Sequence, residues 1–109
     1  FHNSSVFNEP PVLCRYISAK AEHGGFQILF SVPKKRLKRA VDRNRVRRRM
    51  REAWRLNAGL LRERLQSESV LLQIGLYYQS GDIMQYADIE LKIKSIIHRL
   101  LQHHETTAR

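Results

Sequence analysis

The sequence predicts an α+β fold, a small mixed β-sheet with helices packed on one face. Three observations predict it. The stretches Val12 to Ser18, Phe26 to Val32 and Val70 to Tyr78 are rich in apolar and aromatic residues and bounded by turn signals, which marks them as strands. After the second and the third of these, apolar residues recur at helical spacing instead. The order strand, strand, helix, strand, helix then suits one layer of helices on one sheet. With 109 residues and 42% of them apolar, the chain fits one domain spanning residues 1–109 around one core.

Taken in order, Phe1 to Pro11 has few regular signals, and Pro10-Pro11 stops any helix from running on, so it is expected to be an extended lead-in. Val12 to Ser18 and Phe26 to Val32 flank His23-Gly24-Gly25 and are expected to pair as a hairpin. Pro33 ends the second strand. From about Arg39 to Asn57, the residues Val46, Met50, Ala53, Trp54 and Asn57 fall within about 100° of one another on a helical wheel. That stripe should face the core, and Trp54 belongs to it as a packing residue rather than a base-stacking one.

Gly59 marks a break, and Leu60, Leu61 and Leu65 suggest a further turn or two of helix. Val70 to Tyr78 follows, ended by Ser80-Gly81-Asp82. From about Asp88 to His104, Ile89, Ile93, Ile96, Ile97, Leu100 and Leu101 trace an amphipathic helix, and residues 105–109 are expected to be a flexible tail. Period two in the strands places Phe26, Ile28, Phe30 and Val32 with Val70, Leu72, Ile74, Leu76 and Tyr78 under the helices. The alternate positions, among them Gln27, Leu29, Gln73 and Tyr77, form a mixed second face that is left open.

Charge is concentrated in one place. Residues 34–55 hold twelve Lys and Arg against Asp42 and Glu52, which equals the net charge of +10 for the whole chain. Elsewhere acids and bases balance. Like charges at i, i+4 on a helix repel by a few tenths of a kcal/mol each, so seven arginines on one helix are explained by a bound polyanion. Guanidinium forks grip phosphate oxygens in pairs and stay charged at physiological pH. A basic run can also be a solvated face or a localisation signal, but this one carries a core-facing stripe inside the fold. Its apolar face is too narrow for a membrane-surface or calmodulin-target helix.

The string from Ser31 to Arg55, with Lys34-Lys35 behind a Ser-Val strand end, Ala40-Val41, Arg43-Asn44-Arg45, Arg47-Arg48 and then Arg51-Glu52-Ala53-Trp54-Arg55, resembles the signature of the protein subunit of bacterial ribonuclease P. The element order fits over nearly the whole chain. The resemblance implies a fold similar to the second domain of ribosomal small-subunit protein five, with a left-handed βαβ crossover. It also implies a small basic protein that binds a catalytic RNA and assists removal of the 5′ leader of precursor tRNA. In that family, cleavage belongs to the RNA and the magnesium it holds, with one protein per RNA in the cytoplasm. No catalytic or metal-binding side chain is expected.

Carried over by the motif, Lys34, Lys35, Arg39, Arg43, Asn44, Arg45, Arg47, Arg48 and Arg51 should face the RNA, and neither Arg43 nor Arg45 is needed by the core. The family's leader cleft implies a role for the open sheet face, with Arg15, Gln27, Leu29, Gln73 and Tyr77 as candidates. The chain also departs from the family pattern. The usual N-terminal helix has no counterpart in Phe1 to Phe7, being either upstream of Phe1 or replaced, and Leu37-Lys38-Arg39 stands where a Gly usually precedes Ala-Val.

Other readings fit less well. An autonomous nuclease needs clustered carboxylates, whereas Asp42 reads as a helix-start charge and Glu52 as a partner for Arg48. The five His residues have no zinc spacing, lone Cys14 fits a reducing compartment, and no apolar run reaches membrane-spanning length. A DNA-reading helix would mix more polar residues among its arginines. A structural ribosomal or RNA-chaperone protein would share the charge and fold, but would not stimulate leader removal.

Overall fold

The computed structural model describes the backbone of residues 4–107 and the side chains of residues 4–102. The strands are β1 (Ser5–Glu9), β2 (Val12–Lys20), β3 (Gly25–Ser31) and β4 (Val70–Tyr78), and the helices are α1 (Ala40–Asn57), α2 (Gly59–Glu68) and α3 (Tyr86–Thr107). They build one four-stranded mixed sheet in the order β1-β2-β4-β3. β1 pairs antiparallel with β2, β2 antiparallel with β4, and β3 parallel with β4.

Two expectations about the strands are corrected. The lead-in is a strand in part: β1 forms an edge hairpin with β2 across the cis Pro10-Pro11 peptide, with Glu9 opposite Val12. Its pattern was faint because Phe7 is its one buried residue. β2 and β3 do not pair as a hairpin, because β4 lies between them. β4 is apolar at most positions on both faces and therefore takes a central place, where both edges and the helix-side face are covered. The chain between β2 and β3 crosses the α2–β4 junction, where Ala21 N–H donates to Ser69 O at 2.9 Å. Gly24 makes that crossing: a Cβ there would lie 2.0 Å from the Leu65 carbonyl oxygen. Gly24 thus provides clearance for a crossing rather than a tight turn.

The helix-side face follows the period-two reading. Phe7, Cys14, Leu76 and Phe30 share one row of it. Val12, Leu72, Ile74 and Tyr78 are buried in the same layer, while Phe26, Ile28 and Phe30 are half-buried because β3 is an edge strand. Against them pack Val46, Met50, Ala53 and Trp54 of α1, Leu61 and Leu65 of α2, and Ile89, Ile93, Ile96, Ile97 and Leu100 of α3. Each buried Val, Leu, Ile or Met among them contributes about 1.5–3 kcal/mol.

Boundaries differ modestly. α2 has ten residues, more than the expected turn or two. α3 begins at Tyr86 and runs to Thr107, so residues 105–107 of the expected tail are helical, while 108–109 lie outside the described residues. No helix among the described residues is long and apolar enough to cross a membrane.

Candidate nucleic-acid interface

The basic segment has two parts, a loop and a helix. In the loop, the N–H groups of Arg36 and Leu37 donate to Pro33 O at 3.1 and 3.3 Å, and Val32 and Leu37 are buried as anchors. Lys34, Lys35, Arg36, Lys38 and Arg39 are left exposed. α1 starts without a side-chain cap, with extended Arg39 at its N-cap position. Asp42 supplies negative charge to the first turn and lies 3.9 Å from Arg39.

Arg43 closes the loop from the helix. Its Nη1 donates to Leu37 O at 3.0 Å and to Lys38 O at 2.8 Å. Arg43 and Arg45 are therefore not equivalent: both lie outside the buried core, as expected, but Arg43 also fastens the loop. Arg45 is exposed. On a helical wheel Arg49 falls outside the buried stripe, with the arginines expected to face outward; its Nη1 instead donates to Met84 O at 2.5 Å and ties α1 to the loop before α3.

Farther along the outer arc, Arg47 Nη1 donates to Asn44 Oδ1 at 2.8 Å, so the asparagine orients a neighbouring guanidinium. Arg48 and Arg51 are exposed, and Arg51 Cζ stands 6.0 Å from the Phe30 ring centroid. Glu52 pairs with Arg55 rather than Arg48, because the Arg55 fork closes on both carboxylate oxygens, at 2.6 and 3.1 Å. That hydrogen bond holds the Glu52 carboxyl below the usual carboxylate range. Lys34, Lys35, Arg45, Arg48 and Arg51 thus present charge to solvent, with the segment's two acids engaged by Arg39 and Arg55.

The open face carries all five expected cleft residues. Val6, Arg15, Gly75 and Leu29 share one row, Asn8, Leu13, Tyr77 and Ser31 the next, and Ile17, Gln73 and Gln27 a third. The five do not form one pocket. Arg15 and Tyr77 line a shallow cavity of about 320 Å³ with Leu13, Pro33, Lys35, Arg36 and Gln79. Gln27, Leu29 and Gln73 line another of about 290 Å³, where Gln73 Nε2 donates to Gln27 Oε1 at 3.0 Å. The first cavity joins the sheet face to the basic loop. Tyr77 lies across Gly75, so close that a Cβ there would come within 2.7 Å of its hydroxyl oxygen. The lack of a side chain at position 75 lets the ring sit over the Arg15 row.

Sequence reasoning missed Arg36, Leu13 and Gln79 as members of this cavity. Arg36 was visible as charge, but its place beside Tyr77 follows from the turn at Pro33, which no periodicity encodes. Leu13 could have been found from the register once β2 was paired with β4. Among the described residues, no three His, Cys, Asp or Glu side chains are grouped as metal ligands. Burial pushes the Cys14 thiol up to about 12, which leaves it protonated and unreactive near neutral pH.

Known proteins resemble the chain in sequence and in fold. The chain is 38% identical over 73 residues to the ribonuclease P protein component of Porphyromonas gingivalis, covering 67% of this chain and 53% of that protein. It is 43% identical over 60 residues to that of Idiomarina loihiensis, covering 50% and 48%. The chain thus spans about half the length of the curated relatives it matches. The solved structure of the Staphylococcus aureus RNase P protein superposes with a TM-score of 0.65 over 89% of this chain and 81% of that one, a likeness of fold at 18% identity. The sequence profile described as Ribonuclease P matches residues 1–101, which include the whole sheet and the Arg43-Asn44-Arg45 string on its helix. On that match the chain belongs to the ribonuclease P protein family.

Proposed function

We propose that the chain serves as a protein subunit of ribonuclease P, binding a catalytic RNA through the basic loop and the outer arc of α1. The open sheet face holds the single-stranded 5′ leader of precursor tRNA. Arg15, Lys35 and Arg36 contact its phosphates, and Tyr77 and Leu29 give sequence-tolerant stacking and apolar contact. Gln27 and Gln73 add amide contacts. The RNA performs the cleavage with magnesium that it holds itself, and the protein raises metal and leader affinity, one protein per RNA in the cytoplasm.

One observation carries this reading. The solvent-facing cations of the loop and α1 outnumber the two acids beside them, and the same loop lines the cavity that contains Tyr77. A phosphate polymer laid on α1 can therefore run onto the sheet face without a break in favourable charge. If about six cations displace counterions, log K should fall against log salt with a slope of roughly −4 to −5.

Reconstitution is the test. Added to a ribonuclease P RNA at limiting magnesium, the protein should stimulate cleavage of precursor tRNA at the leader junction, and Tyr77→Ala should weaken the effect for leader-bearing substrate. RNA binding without stimulation would refute the reading in favour of a structural RNA-binding protein.

A further inference from the structure

Behind the edge strand β3 lies an aromatic ladder that joins Arg51 and Trp54 of the motif to Phe26, Phe30 and Arg62 outside it. Trp54 of α1 meets Phe26 edge-on, with centroids 5.2 Å apart at 88°, and Phe30 at 6.5 Å and 74°. An arginine stands over each phenylalanine: Arg62 of α2 has its Cζ 4.8 Å from the Phe26 centroid, and Arg51 of α1 is 6.0 Å from that of Phe30. The order is Arg51, Phe30, Trp54, Phe26, Arg62.

Both arginines are exposed, and neither forms an ion pair with an acid among the described residues. A guanidinium resting on a ring by its face keeps its N–H edge for a partner and has less rotamer freedom to lose on binding. The two phenylalanines are four residues apart on one strand, about 13 Å along the backbone at 3.3 Å per residue, so the two arginines stand over separate rings of one edge. Two fixed, separated cations suit the phosphate backbone of an RNA helix, which proteins recognise by shape and by phosphate contacts rather than by base edges.

We propose that the β3 edge, through Arg51 and Arg62, is a second contact for the RNA subunit, gripping the phosphate backbone of a helical segment. The proposal rests on the function argued above. The RNA subunit is the chosen occupant because Arg51 belongs at once to the ladder and to the outer arc of α1, so one RNA can follow both. Arg62 is the new element: α2 balances Arg62 and Arg64 against Glu63 and Glu68, so composition gives it no signal.

The test is filter binding of the full chain to a ribonuclease P RNA, alone and with precursor tRNA. Arg62→Ala should weaken RNA-subunit affinity about five- to tenfold and make the salt slope shallower by about one. Lys94→Ala, which removes an equal exposed charge from α3, should change neither. Arg62→Gln, which keeps the stem on Phe26, should bind like Arg62→Ala if charge is the cause; binding like wild type would overturn the proposal. A Gln66→Cys variant tethered to an iron-EDTA cleaver should cut the RNA subunit near α2, since buried Cys14 stays unlabelled. Wild-type affinity for Arg62→Ala with weakened Arg48→Ala would overturn the second contact alone, as would a loss confined to precursor tRNA. Wild-type affinity for both variants would overturn the parent reading as well.

Discussion

The sharpest separation between neighbouring motif residues is that between Arg43 and Arg45. Arg43 gives two hydrogen bonds to the carbonyls of Leu37 and Lys38 and so fastens the basic loop to the first turns of α1. Partly exposed side chain to backbone bonds contribute about 0.5–1.5 kcal/mol each, so Arg43→Ala should lower stability by about 1–2 kcal/mol. For a domain of this size each kcal/mol moves the midpoint by about 4–8 °C, giving an expected fall of roughly 4–16 °C in a thermal melt. Arg45 is exposed, and Arg45→Ala should stay within about 0.5 kcal/mol of wild type. In RNA binding the order should differ: Arg45→Ala removes charge only and makes the salt slope shallower by about one. Arg43→Lys keeps the charge but lacks the planar fork, and should recover little of the lost stability. If Arg43→Ala melts with the wild type, the loop is not held by this side chain and the distinction fails.

Other predictions follow from contacts elsewhere in the fold. Glu9 accepts from Arg99 at 2.8 Å and from Ser95 at 2.8 Å, and the Arg99 hydrogen bond chiefly holds its carboxyl below 4.5. The folded-state value being the lower one, this stabilisation is complete above the unfolded value and is lost as pH falls through the folded one. Glu9→Gln should accordingly flatten the loss of melting temperature on going from pH 5 to about pH 3, and an unchanged acid limb would contradict the assignment. Gly24→Ala would drive a Cβ into backbone at Leu65 and Val70, and should cost upward of about 2 kcal/mol in denaturant titration. Gly75→Ala must displace the Tyr77 ring, so it should weaken leader affinity by about 1–3 kcal/mol while binding to the RNA subunit stays unchanged; equal losses for both ligands would refute that placement of Tyr77.

Much of the architecture was legible because periodicity reports directly on burial. Val46, Met50, Ala53 and Trp54 are buried as expected, and so are Ile89, Ile93, Ile96, Ile97 and Leu100, while Asn57 and Leu101 at the ends of the two stripes are half-buried. Alternation in β3 and β4 also placed Gln27, Leu29, Gln73 and Tyr77 together on the open face. β1 escaped notice because an edge strand with one buried residue has almost no alternation to show. The false hairpin arose because Gly-Gly looks the same in a tight turn and in a crossing beneath another backbone. The helical wheel placed Arg49 outward, but a long side chain can turn from the solvent arc to a nearby carbonyl, and Met84 O is such a partner.

The sequence by itself determined the strand and helix order from β2 onward and the cationic segment, because each depends on local spacing or on summed charge. Tertiary structure alone decided that β4 divides β2 from β3, that Arg36 stands beside Tyr77, that Arg43 holds a loop while Arg45 faces water, and that Arg62 joins Arg51 across the aromatic ladder. Those relations pair residues far apart in the chain, or turn on where a flexible side chain finds an acceptor. Local pattern cannot encode either, since both depend on which surfaces the packed core brings within a few ångströms of each other.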